Sequence, residues 1–261
     1  VWFAGMSSVM ENRPDAPGQE AGRQERSKIR RALTFGTLNA DILPSLERYA
    51  ADNAEALRLL HEISGKSLGR FPVYLEKGLD ADVSHAPKVS DAVVLLAVEA
   101  CLAAKRGEVD RAVESVVLQI KIADVLRADQ VVLSQMVRNG SHFVACHAVR
   151  HILTVGAASD AQLVQIAEAL HDAEYPEGMA SALAAERAFG LDYLTGIAER
   201  FRPSKDAGIF QRVVGTVKAE WIRRRLFNDG EVSQFVSTME RLIDATKLPV
   251  HEGVDVEDNV T

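Results

Sequence analysis

The chain contains very little cysteine. Its 261 residues include only Cys101 and Cys146. Two cysteines are too few for a disulfide framework, and neither belongs to the CxxC pair that is typical of zinc or dithiol redox sites. We therefore interpret both as buried thiols.

An excess of basic residues and a long apolar run are also missing. Lys and Arg number 30 against 37 Asp and Glu, which gives a formal net charge of -7 at pH 7. Nucleic acid is not an expected partner, because its binding depends on clustered Lys and Arg that displace counterions. No stretch of the chain approaches the roughly 20 apolar residues that a membrane-spanning helix needs.

Two short catalytic motifs are absent as well. The sequence has no GxGxxG or HExxH pattern. Ser64-Gly65-Lys66-Ser67 resembles the end of a phosphate-binding loop, but Leu60 occupies the place of the earlier glycine and a helix precedes it. A catalytic triad can still be assembled from distant positions, so an enzyme stays possible. The sequence favours a non-enzymatic protein and predicts no cofactor.

What the sequence does contain is a globular composition with helical periodicity. Apolar residues make up 47% of the chain and charged residues 26%, which is enough to bury a core. Apolar spacing and capping residues predict helices at about residues 42–63, 90–105, 109–127, 130–155, 160–172, 178–200, 207–227 and 230–245. One apolar side of the element at 130–155 is predicted to hold Leu133, Met136, Val137, Val144 and Ala148. The expected fold is all-α, with stacked antiparallel helical hairpins in an irregular array or bundle.

The two ends of the chain differ from this body. Val1-Trp2-Phe3-Ala4-Gly5 is typical of the trailing end of an apolar segment at a membrane interface. Residues 12–22 are rich in Pro, Gly, Asp, Glu and Gln and predict a linker. We expect an anchor remnant and flexible linker over residues 1–39, one helical domain over 40–248 and an acidic tail over 249–261.

One predicted hairpin resembles a tetratricopeptide repeat. The residues Leu102-Ala103-Ala104-Lys105-Arg106-Gly107-Glu108-Val109-Asp110-Arg111-Ala112 match the turn of such a hairpin, which would cover residues 102–123. The second helix is too long for the family's 34-residue period, and no equivalent turn recurs. The resemblance implies stacked hairpins without a regular superhelix.

Four other segments carry a broader resemblance. They are Leu57-Arg58-Leu59-Leu60-His61-Glu62, Arg70-Phe71-Pro72-Val73, Leu133-Ser134-Gln135-Met136-Val137-Arg138 and Glu186-Arg187-Ala188-Phe189-Gly190. Over residues 43–195 the chain resembles an uncharacterised family of membrane-anchored, all-helical bacterial envelope proteins. The resemblance implies an N-terminal anchor and a body on the periplasmic side.

Two sets of residues are candidates for ligand binding. The connection at residues 68–87 has many Gly and Pro breakers but keeps apolar residues, so it could form a lid with Arg70, Tyr74 and His85 as polar contacts. Glu186 and Arg187 lie in a helix with small or apolar residues on nearly every face, so at least one of the two charges is expected to be buried. A structural ion pair is the favoured interpretation, and a ligand-binding role is the alternative.

A possible metal site lies on a single predicted helix. His142, Cys146, His147 and His151 are natural ligands of zinc or copper. His147 and His151 share one helix face while His142 and Cys146 share another, so one ion cannot use all four. Core histidines are the favoured interpretation, and no metal is predicted.

Three functions follow from these observations. The first is a non-enzymatic helical scaffold that binds a protein or peptide and is tethered at the bacterial envelope. The second is a binder of an apolar or lipid-like small molecule, with loop 68–87 as its lid. The third is a metal-dependent enzyme that uses His147 and His151.

Overall fold

The computed structural model describes residues 19–35, 38, 40–66, 69–155, 158–200 and 231–247. Across these residues every regular element is helical and none is a strand, which confirms the all-α fold. The α-helices are α1 (Gln19–Phe35), α2 (Leu43–Asp52), α3 (Ala54–Glu62), α4 (His85–Lys105), α5 (Val109–Ala123), α6 (Val132–Val155), α7 (Asp160–Asp172), α8 (Glu177–Arg200) and α9 (Glu231–Ala245). Short 3-10 helices cover Leu75–Asp80 and Asp124–Leu126.

The described residues form two compact units. The first takes the residues up to Phe71, then Ser84–Ala128 and Met136–Glu174. The second takes Pro72–Val83, Asp129–Gln135 and the described residues from Tyr175 onward. The chain therefore passes between the units several times.

Helix α4 lies at the centre of the first unit. Most of its residues are buried, and they occupy every face of the helix. A helix that is apolar all round belongs in a core, and α4 supplies residues to both of the large apolar clusters of this unit. The predicted start near Ser90 was wrong, because α4 begins at His85. Pro87 fits the first turn, where its missing N–H is not needed for a helical hydrogen bond.

A tight turn joins α4 to α5. Gly107 has a positive φ of 77°, the left-handed conformation that glycine adopts without strain. The Glu108 N–H donates to the Ala103 carbonyl at 2.9 Å and the Gly107 N–H to the Ala104 carbonyl at 3.0 Å. This is the Schellman pattern, and it satisfies carbonyl groups that the end of α4 would otherwise leave unpaired. The predicted hairpin turn is confirmed.

Helix α1 extends the helical body into the predicted linker. Ile29 and Leu33, one turn apart on α1, are buried in the core of the first unit. Arg30 beside them donates to Asp91 at 2.6 Å and to Ser90 at 2.9 Å. The helical body thus begins before residue 40. The predicted anchor remnant at residues 1–5, the acidic tail and the predicted helix at 207–227 lie outside the described residues.

Two further sequence predictions concern helix ends. The helix predicted over 42–63 is split into α2 and α3 at Asn53, which leaves helical geometry and donates its side-chain amide to the Tyr49 carbonyl at 2.7 Å. Local bonding of this kind lets Asn compete with the helix backbone. The sequence predicts Ser159 or Asp160 as the cap of α7, and in the structure Ser159 is the cap, in a capping box with Gln162.

In the second unit, α8 packs against α9 and against the 3-10 helix Leu75–Asp80. A Cβ atom at Gly190 of α8 would overlap the ring of Phe235 on α9, so a larger residue there would require that ring to move. No helix within the described part of the chain is long and apolar enough to cross a membrane.

Candidate functional site

The outward face of α6 carries a regular series of exposed residues. Its members are Met136, Asn139, Phe143, Cys146, Arg150 and Leu153, all of them exposed. Their separations alternate between three and four residues, the spacing of an apolar seam between two packed helices. Met136 is 59% exposed, Phe143 48% and Leu153 51%. We call these six residues the α6 seam; it extends about 26 Å along the helix at 1.5 Å per residue.

The seam corrects the predicted apolar side of this helix. Val144 and Ala148 are buried, as predicted, but Leu133 and Met136 are exposed. Polar residues instead fill several buried positions early in the helix: Ser134, Gln135, Arg138 and Ser141. Apolar spacing does not predict burial of these residues, because some of their partners lie far along the chain. The Ser141 hydroxyl donates to the nearby Val137 carbonyl at 2.7 Å, but Arg138 bonds to Asp124 and to the Ala173 carbonyl.

The two cysteines have opposite environments. Both are free, with Cys101 buried and Cys146 exposed, so the prediction of two buried thiols was wrong for Cys146. Burial raises the pKa of Cys101 to about 12. That thiol is therefore protonated and unreactive near neutral pH, and Cys146 is the accessible one.

His147 and His151 line the same cleft, in agreement with their predicted common face. His147 stands edge-on to the Phe143 ring, with centroids 4.8 Å apart, and Arg150 Nη2 lies 3.1 Å from its Nδ1. Burial lowers the pKa of both imidazoles, aided by Arg150 at His147 and by Lys105 at His151. Among the described residues, no three His, Cys, Asp or Glu side chains are grouped as a metal site would require.

His142 belongs to a different group on α6. The nearly buried Arg138 donates through Nε and Nη2 to Asp124 Oδ1, at 2.8 and 2.6 Å, and also to the Ala173 carbonyl. His142 Nε2 lies 3.9 Å from the same Asp124 oxygen. Burial lowers the pKa of His142, and the positive charge of Arg138 adds to the effect. This group fastens the end of α7 to α6 and is structural.

The most connected polar group surrounds Glu99, which α4 places among apolar residues. Glu99 Oε2 is 2.6 Å from His61 Nε2 and accepts from the Ser115 hydroxyl at 2.8 Å. Its other oxygen accepts from Arg111 Nη2 at 2.8 Å. Burial alone would raise the pKa of Glu99, but the hydrogen bonds from His61 and Ser115 outweigh it and lower that pKa. A buried carboxylate requires such partners, and together they join α3, α4 and α5.

This Glu99 cluster does not have the geometry of nucleophilic catalysis. Ser115 and His61 both bond to one Glu99 oxygen, and the Ser115 hydroxyl also lies 2.8 Å from the Arg111 carbonyl. Activation of a serine requires its hydroxyl to donate to the imidazole. Here the carboxylate occupies that role, so the arrangement supports structure and not acyl transfer.

The three residues predicted as polar contacts of the lid differ in their exposure and in their neighbours. Arg70 is exposed, and half-exposed Tyr74 has Lys77 Nζ 5.2 Å from its ring centroid. His85 is buried and stacks on Phe71 with centroids 4.2 Å apart. The predicted loop 68–87 also needs correction, because residues 75–80 form a 3-10 helix and His85 opens α4.

Glu186 and Arg187 lie on α8 in the second unit and make separate contacts. Glu186 Oε1 accepts from the Val132 N–H at 3.4 Å. Arg187 pairs with Glu240 of α9 at 3.2 Å, in a half-buried position. Arg187 therefore links α8 to α9, and both Glu186 and Arg187 are only partly buried.

Sequence reasoning missed both the Glu99 cluster and the α6 seam. The seam had a usable signal, since the alternation of three and four from Met136 to Leu153 is readable from the sequence. The cluster had a weaker one, a single acid inside the otherwise apolar run from Ala92 to Ala104. No protein-family model, curated protein or solved structure matches the chain.

Proposed function

We propose that the protein is a non-enzymatic helical scaffold that binds an amphipathic helix of a partner protein along the α6 seam. The observation that carries the proposal is the exposure of Met136, Phe143 and Leu153 at the spacing used by paired helices. Single exposed apolar residues are common on protein surfaces, but an ordered series on one helix is typical of an interaction face. Helix-in-groove recognition uses anchors at this spacing.

The surroundings of the seam support a binding role. Methionine and phenylalanine adapt well to a partner's apolar side chains. Asn139 and Gly140 are exposed between them, and a Cβ atom at Gly140 would meet nothing within 4 Å. A partner helix can therefore approach the α6 backbone closely at this point.

Photo-crosslinking tests the seam directly. A benzophenone amino acid replaces Phe143 in one variant and the exposed Gln165 of α7 in a matched control. We expect position 143 to yield one discrete adduct, mapped by mass spectrometry to a segment with apolar residues three and four apart. A second substitution, Met136→Glu, should abolish that adduct.

Three outcomes would overturn the proposal. They are equal adducts from positions 143 and 165, no adduct from position 143, or an adduct only with a second copy of this chain. Since Met136 is exposed, Met136→Glu should change the free energy of unfolding by no more than about 0.5 kcal/mol. Urea unfolding of the variant therefore separates loss of binding from loss of folding.

The scaffold acts at the bacterial envelope, on the periplasmic side, tethered through an N-terminal anchor. This part of the proposal rests on the apolar residues 1–5 and on the resemblance to anchored envelope proteins. A cysteine that replaces the exposed Gln165 of α7, in a chain that also carries Cys146→Ser, gives a test away from the seam: in intact cells expressing the full gene, a maleimide that crosses only the outer membrane should label it. Labelling only after lysis, or recovery in the soluble fraction, would contradict the location.

A further inference from the structure

A cleft of about 350 Å³ opens in the first unit, where the C-terminal half of α6 meets the end of α1. Its volume falls in the range of small-molecule sites. Apolar side chains form much of the wall, among them Leu33, Leu38, Ala148 and Val155. The buried Cys101 of α4 also lines it.

The charged and titratable nitrogen groups of the cleft lie on α6, beside the Thr154 hydroxyl, which donates to the Arg150 carbonyl at 2.8 Å. Arg150, His147 and His151 line it within two turns of α6. Arg150 Nη2 donates to His147 Nδ1 at 3.1 Å, which leaves the proton of a neutral imidazole on Nε2. Of the described residues that line the cleft, none carries a carboxylate. The described wall of the cleft therefore holds one permanent positive charge, on Arg150, and no carboxylate beside it.

We infer that this cleft binds a small monocarboxylate with an apolar stem, its carboxylate on Arg150 and His147 and its stem against Leu33 and Val155. A guanidinium is suited to a carboxylate because its planar N–H groups match the two oxygens. A single charge fits because Arg150 is the only lining residue described here with a permanent charge. The apolar wall selects against small hydrated anions, which gain nothing from its burial.

This inference does not rest on the proposed scaffold function, although Arg150 belongs to both the α6 seam and the cleft. The cleft otherwise uses His147, His151 and the end of α1, whereas partner binding relies chiefly on Met136, Phe143 and Leu153. The site also gives the two imidazoles a role without a metal ion. Burial lowers the pKa of His147 and of His151, and the nearby charges of Arg150 and Lys105 add to this effect, so both rings favour their neutral forms. A bound carboxylate would favour the protonated forms. By linkage, carboxylate binding tightens as the pH falls from 8 to 6.

Octanoate titration of the full chain, followed by calorimetry and by the NMR signals of the histidine rings, tests the inference. Octylamine, octan-1-ol and acetate are the matched probes that change the charge or remove the stem. We expect saturable octanoate binding below its micelle concentration, with the His147 and His151 ring signals shifting and those of His61 unmoved. The three other probes should bind at least about tenfold more weakly than octanoate. Octylamine and octan-1-ol lack the charge-assisted contact with Arg150, and acetate lacks the apolar stem.

Two variants locate the site. Arg150→Gln should weaken octanoate binding about tenfold, whereas Lys121→Gln, which removes an exposed charge on α5, should leave it unchanged.

N-acetyl-leucine serves as a second carboxylate probe. If it binds more tightly than octanoate, the natural ligand is a peptide terminus, and the reverse indicates an acyl chain.

The absence of saturable octanoate binding would overturn the inference. So would equal binding of octylamine, or full retention of octanoate affinity in Arg150→Gln. Binding that does not change between pH 8 and pH 6 would remove the histidines from the site. Crosslinking at Phe143 is unaffected by any of these results, so the two proposals can fail independently.

Discussion

Helices α4 and α6 have similar lengths, 21 and 24 residues, but they use their apolar residues differently. The apolar residues of α4 are nearly all buried, and its one acid in the buried stretch, Glu99, has a full set of partners. Helix α6 buries Arg138 and Gln135 while it exposes Met136, Phe143 and Leu153. Burial in the core therefore explains why the residues of α4 are apolar. The exposed apolar residues of α6 contribute little to the stability of the fold and are available for binding.

The largest expected effect contrasts a core residue of α4 with a seam residue of α6. Leu96 is fully buried, so Leu96→Ala should lower the free energy of unfolding by about 2–5 kcal/mol. Phe143→Ser removes a larger side chain but should cost only about 1 kcal/mol, because about half of that side chain is exposed. Urea unfolding measures both. A loss of several kcal/mol in Phe143→Ser would show that the seam is part of the core.

A smaller effect is expected at Glu99. Its side chain is 13% exposed, and Glu99→Gln should destabilise the protein by about 1–3 kcal/mol at pH 7, because Arg111 loses its charged partner. Glu114→Gln is the matched control: that carboxylate also faces Arg111 but is 48% exposed, so the change should be about 0.5 kcal/mol or less.

The Glu99 effect also depends on pH. The folded protein holds the pKa of Glu99 below its ordinary value, so this carboxylate contributes its stability above the unfolded pKa of about 4.3. The contribution is lost as the pH falls through the folded pKa. The difference between the native chain and Glu99→Gln should therefore shrink in urea titrations below pH 4. A difference that is constant with pH would contradict the ion-pair account.

The smallest effects compare a glycine at the end of α4 with one inside α6. Gly107→Ala should destabilise the protein by about 1 kcal/mol, since alanine is strained at a φ of 77°. Gly140→Ala should stabilise it by about 0.5–1 kcal/mol, because Gly140 is helical and open space surrounds its missing Cβ. Thermal unfolding of both variants tests this prediction: the melting temperature should fall in Gly107→Ala and rise in Gly140→Ala.

The fold class was predictable because apolar spacing recurs over long segments without strand patterns. Helix boundaries were less so: Pro87 suggested a start after it, yet proline is accepted in the first turn of α4. Helix α1 was missed because only Ile29 and Leu33 mark its buried face within a polar segment. Short apolar signals of this kind are decided by tertiary packing and not by local preference.

The candidate sites were only partly predictable. The common face of His147 and His151 followed from helix geometry, but the neighbours that make their cleft apolar, such as Leu33 and Leu38, come from distant segments. The same holds for Glu99, whose partners His61 and Arg111 lie on two other helices. Without homologous sequences, no pattern along one chain reveals pairings of this kind.

The interleaving of the two units constrains how the chain can fold during synthesis. The 3-10 helix Leu75–Asp80 packs on α8, which begins at Glu177, about a hundred residues later. At a ribosomal rate of roughly 5–20 residues per second, the earlier segment leaves the ribosome about 5–20 s before its partner. During that interval the first unit can already assemble around α4, while Pro72–Val83 remains an unpaired insertion in it. The second unit is thus completed last, and neither unit can be produced alone as one continuous fragment.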